Sequence, residues 1–286
     1  MKVTILEPSG YCVGVERAMK LAIKTKENNP SNNVVVLGML VHNQDSLKEL
    51  EKHGVKTIYE LNCSYEQLVE KISEHSIVIL TAHGHSKALE EMLIKKGHTI
   101  VDATCPFVKN SFEEIRKAIQ ERDVFYIGVK NHPEALAALS ISDKVHFIDA
   151  KETKIPENIE SSPLVISQTT LSKFEVEHIN EQIKSVYKNA EFLNGICNAS
   201  TKRQESLMNL EDDVDLIYVV GGLNSNNSKT LLNLATKLYP QKKVLLIQNS
   251  SEINKKDLLG LSHIVISSGA STPKEIINEI KVKLLN

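Results

Sequence analysis

The chain has 286 residues, of which 41% are apolar and 24% charged, with a formal net charge of −2. That length can bury a sizeable core or divide into two or three units of about 100 residues, and the near-neutral charge implies neither nucleic acid nor an anionic membrane as a partner. No apolar run approaches the roughly 20 residues of a bilayer span and the first residues lack a signal-peptide core, so a cytoplasmic protein with reduced thiols is expected.

In chain order, MKVTIL reads as a strand leading into Cys12, and VGVERAMKLAIKTKENN after it as an amphipathic helix. The β-branched run VVVLG (34–38) is a buried strand, followed by the polar cluster Val41-His42-Asn43, a helix and the strand VKTIYE (55–60). IVILTAHG carries His83 at its end, Ser86 leads a helix, and HTIVDATC runs into Cys105. The same order then repeats. PFVKNSFEEIRKAIQER is a helix with Pro106 suited to its first turn; VFYIGV (124–129) precedes Asn131-His132-Pro133-Glu134; a helix and KVHFID (144–149) follow. LVISQTTLS carries Thr169, Ser172 leads a helix, and AEFLNGIC runs into Cys197. A third round begins with NASTKRQESLMNLEDD, which fits a helix, then LIYVVGG (216–222), Asn224-Ser225-Asn226-Asn227, a helix, KVLLIQ (243–248), HIVISSGAST with Ser271, and a helix led by Pro273.

Cys12 and Cys105 are 93 residues apart, Cys105 and Cys197 92. His42, His132 and Ser225 lie 30, 27 and 28 residues after their cysteines; His83, Thr169 and Ser271 lie 71, 64 and 74 after them. Matching landmarks of this kind predict an internal repeat. The expected fold is α/β: three similar domains with small parallel sheets, arranged as a pseudo-threefold trefoil around a central metal cluster. The domains would be 13–104, 105–195, and 196–286 plus 1–12, the first strand belonging to the last unit. One large doubly wound sheet or a barrel is the alternative, and it leaves the equal offsets unexplained.

In each open α/β sheet the carboxyl edge is the place for a ligand. Three cysteines without local C-x-x-C pairing do not read as structural zinc, and Cys63 has no counterpart in the other units. An iron–sulfur cube on three thiolates keeps one iron open, able to bind a substrate oxygen while the cluster passes single electrons. This combination points to reductive removal of an oxygen. His42, His83, His132, Ser225, Asn226, Asn227 and Ser271 follow strand ends near helix starts and suit a diphosphate. Glu134 is either a helix-dipole partner or a proton relay acting with the Thr169 hydroxyl.

The stretches GYCVGVERA, VHN, AHG, DATCP, HPE, QTTLS, ICNASTKRQE, NSNNS and GAST, in this order and spacing, resemble the 4-hydroxy-3-methylbut-2-enyl diphosphate reductase family, also called LytB or IspH. The resemblance implies a [4Fe–4S] cluster on Cys12, Cys105 and Cys197 and the last step of the non-mevalonate isoprenoid route. There an allylic hydroxyl leaves as water with two electrons and two protons, giving isopentenyl and dimethylallyl diphosphates. Electrons would come from a ferredoxin or flavodoxin. By motif, His42, His83, His132, Thr169, Ser225, Asn226, Asn227 and Ser271 would bind substrate, and Glu134 would donate the proton. Ser9, Leu223 and Asn226 stand where the family usually has arginine, lysine and serine. A non-catalytic iron–sulfur sensor or a diverged paralogue on the same scaffold, and a metal-free α/β enzyme acting on phosphate esters, are the competing readings.

Overall fold

A computed structural model describes residues 1–160 and 162–286. The elements in chain order are β1 (Lys2–Ile5), α1 (Val13–Asn28), β2 (Val34–Leu37), α2 (Gln44–Lys52), β3 (Lys56–Ile58), α3 (Tyr65–Val69), β4 (Ile77–Leu80), α4 (Lys87–Lys95) and β5 (Thr99–Asp102). Next come α5 (Pro106–Ala118), β6 (Val124–Gly128), α6 (Pro133–Leu139), β7 (Val145–Asp149), β8 (Leu164–Ser167), α7 (Lys173–Val186) and β9 (Glu191–Phe192). The last set is α8 (Asn198–Ser206), β10 (Leu216–Val220), α9 (Asn226–Leu238), β11 (Lys243–Ile247), β12 (His263–Ser268) and α10 (Lys274–Leu285).

The strands form three four-stranded sheets in the orders β3-β2-β4-β5, β7-β6-β8-β9 and β11-β10-β12-β1. All strand pairs are parallel. The three sheets share one topology. In each, the first strand of the unit pairs with the second on one side and with the third on the other. The carboxyl ends of the first and third strands therefore flank the point where the chain reverses direction across the sheet, the place where open α/β sheets bind ligands. β1 pairs with β12 in the register Lys2↔His263 to Ile5↔Ile266, so the first strand of the chain completes the last sheet, as the repeat predicts. A single large sheet is thereby ruled out.

Central strands are apolar on both faces because helices cover both. β2, β4, β6, β8, β10 and β12 are buried along their whole length. In the second sheet Val124, Tyr126 and Ile166 face one core with α5 and α6, while Phe125, Ile127 and Val165 face another with α7. Ser86 and Ser172 stand at the N-caps of α4 and α7, and Pro273 at that of α10, each where the sequence predicts a helix start.

Three elements are shorter than predicted. α5 stops at Ala118 because the Lys144 ammonium takes the Ile119 carbonyl at 2.9 Å. α8 stops at Ser206, since the Tyr239 hydroxyl accepts the Leu210 N–H at 3.0 Å and donates to the Leu207 carbonyl at 2.7 Å, while Leu207 turns into the core. β9 has two residues. Asn194 Oδ1 captures the Ile196 N–H at 3.2 Å, and Gly195 passes so close to β8 that a Cβ there would lie 2.1 Å from the Ser167 carbonyl oxygen. α3, held by a capping box between Ser64 and Gln67, is a helix beyond those predicted from the sequence.

Two compact units are formed by packing. One comprises Met1–Glu16, His42–Lys48 and Cys197–Asn286; the other comprises Arg17–Val41 and Glu49–Ile196. Among the described residues no helix is long and apolar enough to cross a membrane.

Candidate active site

The second unit builds an acid centre at the carboxyl edge of β6 and β8. After β6 the chain turns through Asn131 in the left-handed region (φ 62°), a conformation asparagine tolerates. His132 then caps α6, its Nδ1 accepting the Glu134 N–H at 3.2 Å, and Pro133 fixes the first helical position. Glu134 turns inward and is 1% exposed. Its Oε1 accepts the Thr169 N–H at 2.8 Å and the Tyr126 hydroxyl at 3.2 Å; its Oε2 accepts the Thr169 hydroxyl at 2.9 Å. Burial pushes its pKa up to about 7 against the opposing pull of those three hydrogen bonds. A carboxyl so placed can hold or release a proton near neutrality.

His132 meets His83 edge-on, with ring centroids 5.4 Å apart. His83 follows β4, and the neighbouring Ala82 carbonyl accepts the Cys105 N–H at 3.0 Å. Cys105 is in turn the N-cap residue of α5. The second unit therefore carries His83, Cys105, His132 and Thr169 on loops that follow strands, and Glu134 in the first turn of α6.

The first unit gathers the remaining predicted residues. Cys12 precedes α1, and its N–H donates to the Ala270 carbonyl at 2.9 Å. Cys197 caps α8: its Sγ accepts the Ser200 N–H at 3.4 Å and lies 3.2 Å from the Ser200 hydroxyl. Asn227 Nδ2 donates to that hydroxyl at 3.1 Å, while its Oδ1 accepts the Ala270 N–H at 2.9 Å. A continuous hydrogen-bonded string thus runs from Cys197 through Ser200, Asn227 and Ala270 to Cys12.

Ser225 is the N-cap of α9, taking the Ser228 N–H at 3.3 Å, and Asn226 is the first residue of that helix. The Ser271 hydroxyl faces the His42 carbonyl at 3.5 Å, and the Ser271 carbonyl accepts the Ser46 hydroxyl at 3.4 Å. A Cβ on Gly222 would lie 2.2 Å from the His42 carbonyl oxygen, so only glycine lets these two loops meet. Burial, and then the charge of Lys229, lower the His42 pKa to about 4, so its imidazole is neutral at pH 7. The loop is braced by Asn43, whose Oδ1 accepts the Asp45 and Ser46 N–H groups, and by Tyr11 against Ser46 at 2.9 Å.

No disulfide joins any of the four cysteines. Cys12, Cys105 and Cys197 each stand immediately before a helix at a strand's carboxyl edge, half-buried. Helix amino termini favour negative charge, and the Ser200 N–H already points at one sulfur. This donor set fits thiolate ligation of an iron–sulfur group. Cys63 packs instead beside the core of the first sheet. Sequence reasoning assigns no role to Tyr126, Ser200 or Arg203. Tyr126 sits in an apolar strand run, and the other two in the polar stretch ICNASTKRQE.

The chain matches the family model described as LytB protein over residues 3–285. It is 35% identical to the 4-hydroxy-3-methylbut-2-enyl diphosphate reductase of Malacoplasma penetrans, covering 99% of this chain and 97% of that protein. Its fold is similar to the solved E-1-hydroxy-2-methyl-but-2-enyl-4-diphosphate reductase from Plasmodium falciparum, with a TM-score of 0.87 and 27% identity over 100% of this chain and 88% of that one. A solved (E)-4-hydroxy-3-methyl-but-2-enyl diphosphate reductase, described as the terminal enzyme of the non-mevalonate pathway, matches with a TM-score of 0.67 and 29% identity over 100% of this chain and 99% of that one.

Proposed function

The chain belongs to the LytB protein family, and on that premise we propose that Cys12, Cys105 and Cys197 hold its iron–sulfur group as one [4Fe–4S] cluster with one open iron. The protein is an oxidoreductase of isoprenoid biosynthesis. It converts 4-hydroxy-3-methylbut-2-enyl diphosphate to isopentenyl and dimethylallyl diphosphates by reductive dehydroxylation, the terminal step of the non-mevalonate route. The reaction consumes two electrons and two protons and releases water, so it needs a reducing partner. A ferredoxin or flavodoxin in the cytoplasm fits that need. The shared strand order supports domains at 13–104, 105–195, and 196–286 plus 1–12.

When bound, the cluster supplies single electrons and a Lewis-acidic iron for the substrate oxygen. The protein's own residues do the rest. His42, His83, His132, Ser225, Asn226, Asn227 and Ser271 bind and orient the diphosphate. Neutral His42 contributes a hydrogen-bond donor rather than a fixed charge, and the phosphate's own charge strengthens the bond. Glu134 holds the proton. Thr169, bonded to both of its oxygens, relays that proton toward the substrate hydroxyl and keeps the acid aligned.

The observation carrying this reading is the buried Glu134, raised to about 7 and clasped by Thr169 at the carboxyl edge of β6 and β8. The decisive experiment is oxidation of a reduced viologen by freshly prepared anaerobic protein on addition of the allylic diphosphate. About four irons per chain and substrate-dependent oxidation are expected. Fresh anaerobic protein with neither iron nor turnover would remove the reading.

A further inference from the structure

Arg203 lies in α8, six residues after Cys197, within the polar run TKRQES. The structure buries it to 2% exposure, and it heads the fully buried side chains by volume. Its guanidinium donates to three backbone carbonyls: from Nη2 to Gly10 at 2.6 Å, from Nε to Ser268 at 3.1 Å, and from Nη1 to Ala199 at 3.1 Å. Each carbonyl is two residues from a point that fixes a cysteine. Gly10 precedes Cys12, Ala199 follows Cys197, and Ser268 precedes Ala270, whose carbonyl holds the Cys12 N–H.

A guanidinium stays charged in proteins, and a buried charge is costly unless an opposite charge accompanies it. Carbonyls solvate this cation without neutralising it. Burial weakens the hold of Arg203 on its proton; negative charge on Cys12, then on Cys197, then on Glu7 strengthens it. Cys12 and Cys197 are therefore the first groups whose negative charge, as thiolate ligands, would accompany this cation.

We infer that Arg203 is a positioning residue and built-in counter-charge, which fixes Cys12 and Cys197 and raises the reduction potential of the group they hold. This rests on the proposal that those cysteines carry the iron–sulfur cluster. A nearby positive charge stabilises the more negative, reduced form, and local charge and hydrogen bonding are the levers by which a protein tunes such a cluster.

The test uses the whole protein, purified anaerobically with its cluster, as parent, R203M and R203K, with iron content and an EPR-monitored redox titration for each. Removing the charge in R203M is expected to lower the potential. At the parent's midpoint the oxidised-to-reduced ratio should rise at least tenfold, which is ~59 mV for a one-electron couple. R203K keeps the charge but loses the fork, so its ratio should stay within about threefold of the parent's while iron is lost faster. A purely structural tether would leave the potential of loaded R203M unmoved, and that result overturns the inference alone. If R203M does not fold or load, R203Q, which keeps a polar head without the charge, decides: a tenfold rise in that ratio supports the inference and an unmoved potential overturns it. A parent protein that never contains iron overturns the underlying cluster reading and this inference with it.

Discussion

Thr169 holds both oxygens of Glu134: its N–H donates to Oε1 at 2.8 Å and its hydroxyl to Oε2 at 2.9 Å, from a position 35 residues later in the chain. The contact joins the loop after β8 to the first turn of α6. It keeps a carboxyl that would be costly to bury ionised in one orientation, whichever protonation state it holds.

Glu134→Gln preserves the side-chain shape but carries no acidic proton, and its amide nitrogen donates to the Thr169 hydroxyl where the carboxyl oxygen accepts from it. Turnover should fall by ~10²–10⁴-fold, the usual worth of a general acid, while substrate affinity is nearly unchanged. In the parent the donating form prevails below about 7, so turnover should decline as pH rises through that value. The residual rate of E134Q should lack that limb. Anaerobic steady-state assays across pH, paired with a binding measurement, check this; full activity in E134Q would end the proposed role.

Tyr126→Phe tests the balance that sets this pKa. The Tyr126 hydroxyl bond at 3.2 Å lowers the Glu134 pKa, against the larger upward effect of burial. Its loss should move the alkaline limb of the pH–rate profile upward and cost about 1 kcal/mol of stability. A limb that moves downward contradicts the hydrogen-bond assignment.

Glu134 and His42 should also give opposite pH dependences of stability. The folded-state pKa of Glu134, about 7, lies above its ordinary 4.5, so its contribution is present below 4.5 and is lost as pH rises through about 7. That of His42, about 4, lies below its ordinary 6.5, so stability is lost as pH falls from 6.5 through about 4. Each slope approaches about 1 kcal/mol per pH unit within its window. Compared with the parent, H42N should lose less stability on acidification and E134Q less on alkalinisation. Urea unfolding at a series of pH values between these limits reads both, and equal slopes in parent and variants would refute the assignments.

His263→Ala addresses the opposite end of the third sheet. His263 is 2% exposed, with Nδ1 2.8 Å from Asp213 Oδ1 and Nε2 2.9 Å from Thr4 Oγ1. It thereby ties β1 to the sheet. Glu211, Asp213 and His263 resemble a metal-ligand set, but the Lys2 ammonium already pairs with Glu211 and approaches Asp213 at 3.9 Å. The variant should lose about 2–3 kcal/mol through a cavity and unpaired polar groups. Since these residues lie at the amino ends of the strands, turnover of the folded variant should stay at the parent level. Reduced turnover with unchanged stability would contradict a purely structural role.

The apolar runs and their punctuation determined most of the fold. Strand and helix order, the three-fold repetition and the membership of MKVTIL in the last sheet all follow from local periodicity and from turn residues, which act within a few positions of the chain. The same repetition brought out Cys12, Cys105 and Cys197 and the strand-end residues, because landmarks at equal offsets need no knowledge of distance. The family motifs then gave those residues their proposed roles.

Only the tertiary structure decided what depends on through-space distance. The surroundings of Glu134 are set by Tyr126 on β6 and Thr169 in the loop after β8, which bond to its buried carboxyl. Arg203, in a polar run, became the most voluminous fully buried side chain among the described residues because the loop before Cys12 and the end of β12, both distant in sequence, present carbonyls to it beside that of Ala199 in its own helix. α8 and α5 ended early for the same reason: Tyr239 and Lys144 reach in from elsewhere and take the carbonyls that a further helical turn would have used. Periodicity is a property of neighbours along the chain; desolvation and hydrogen-bond partnership are properties of neighbours in space, and these set the electrostatics of the site.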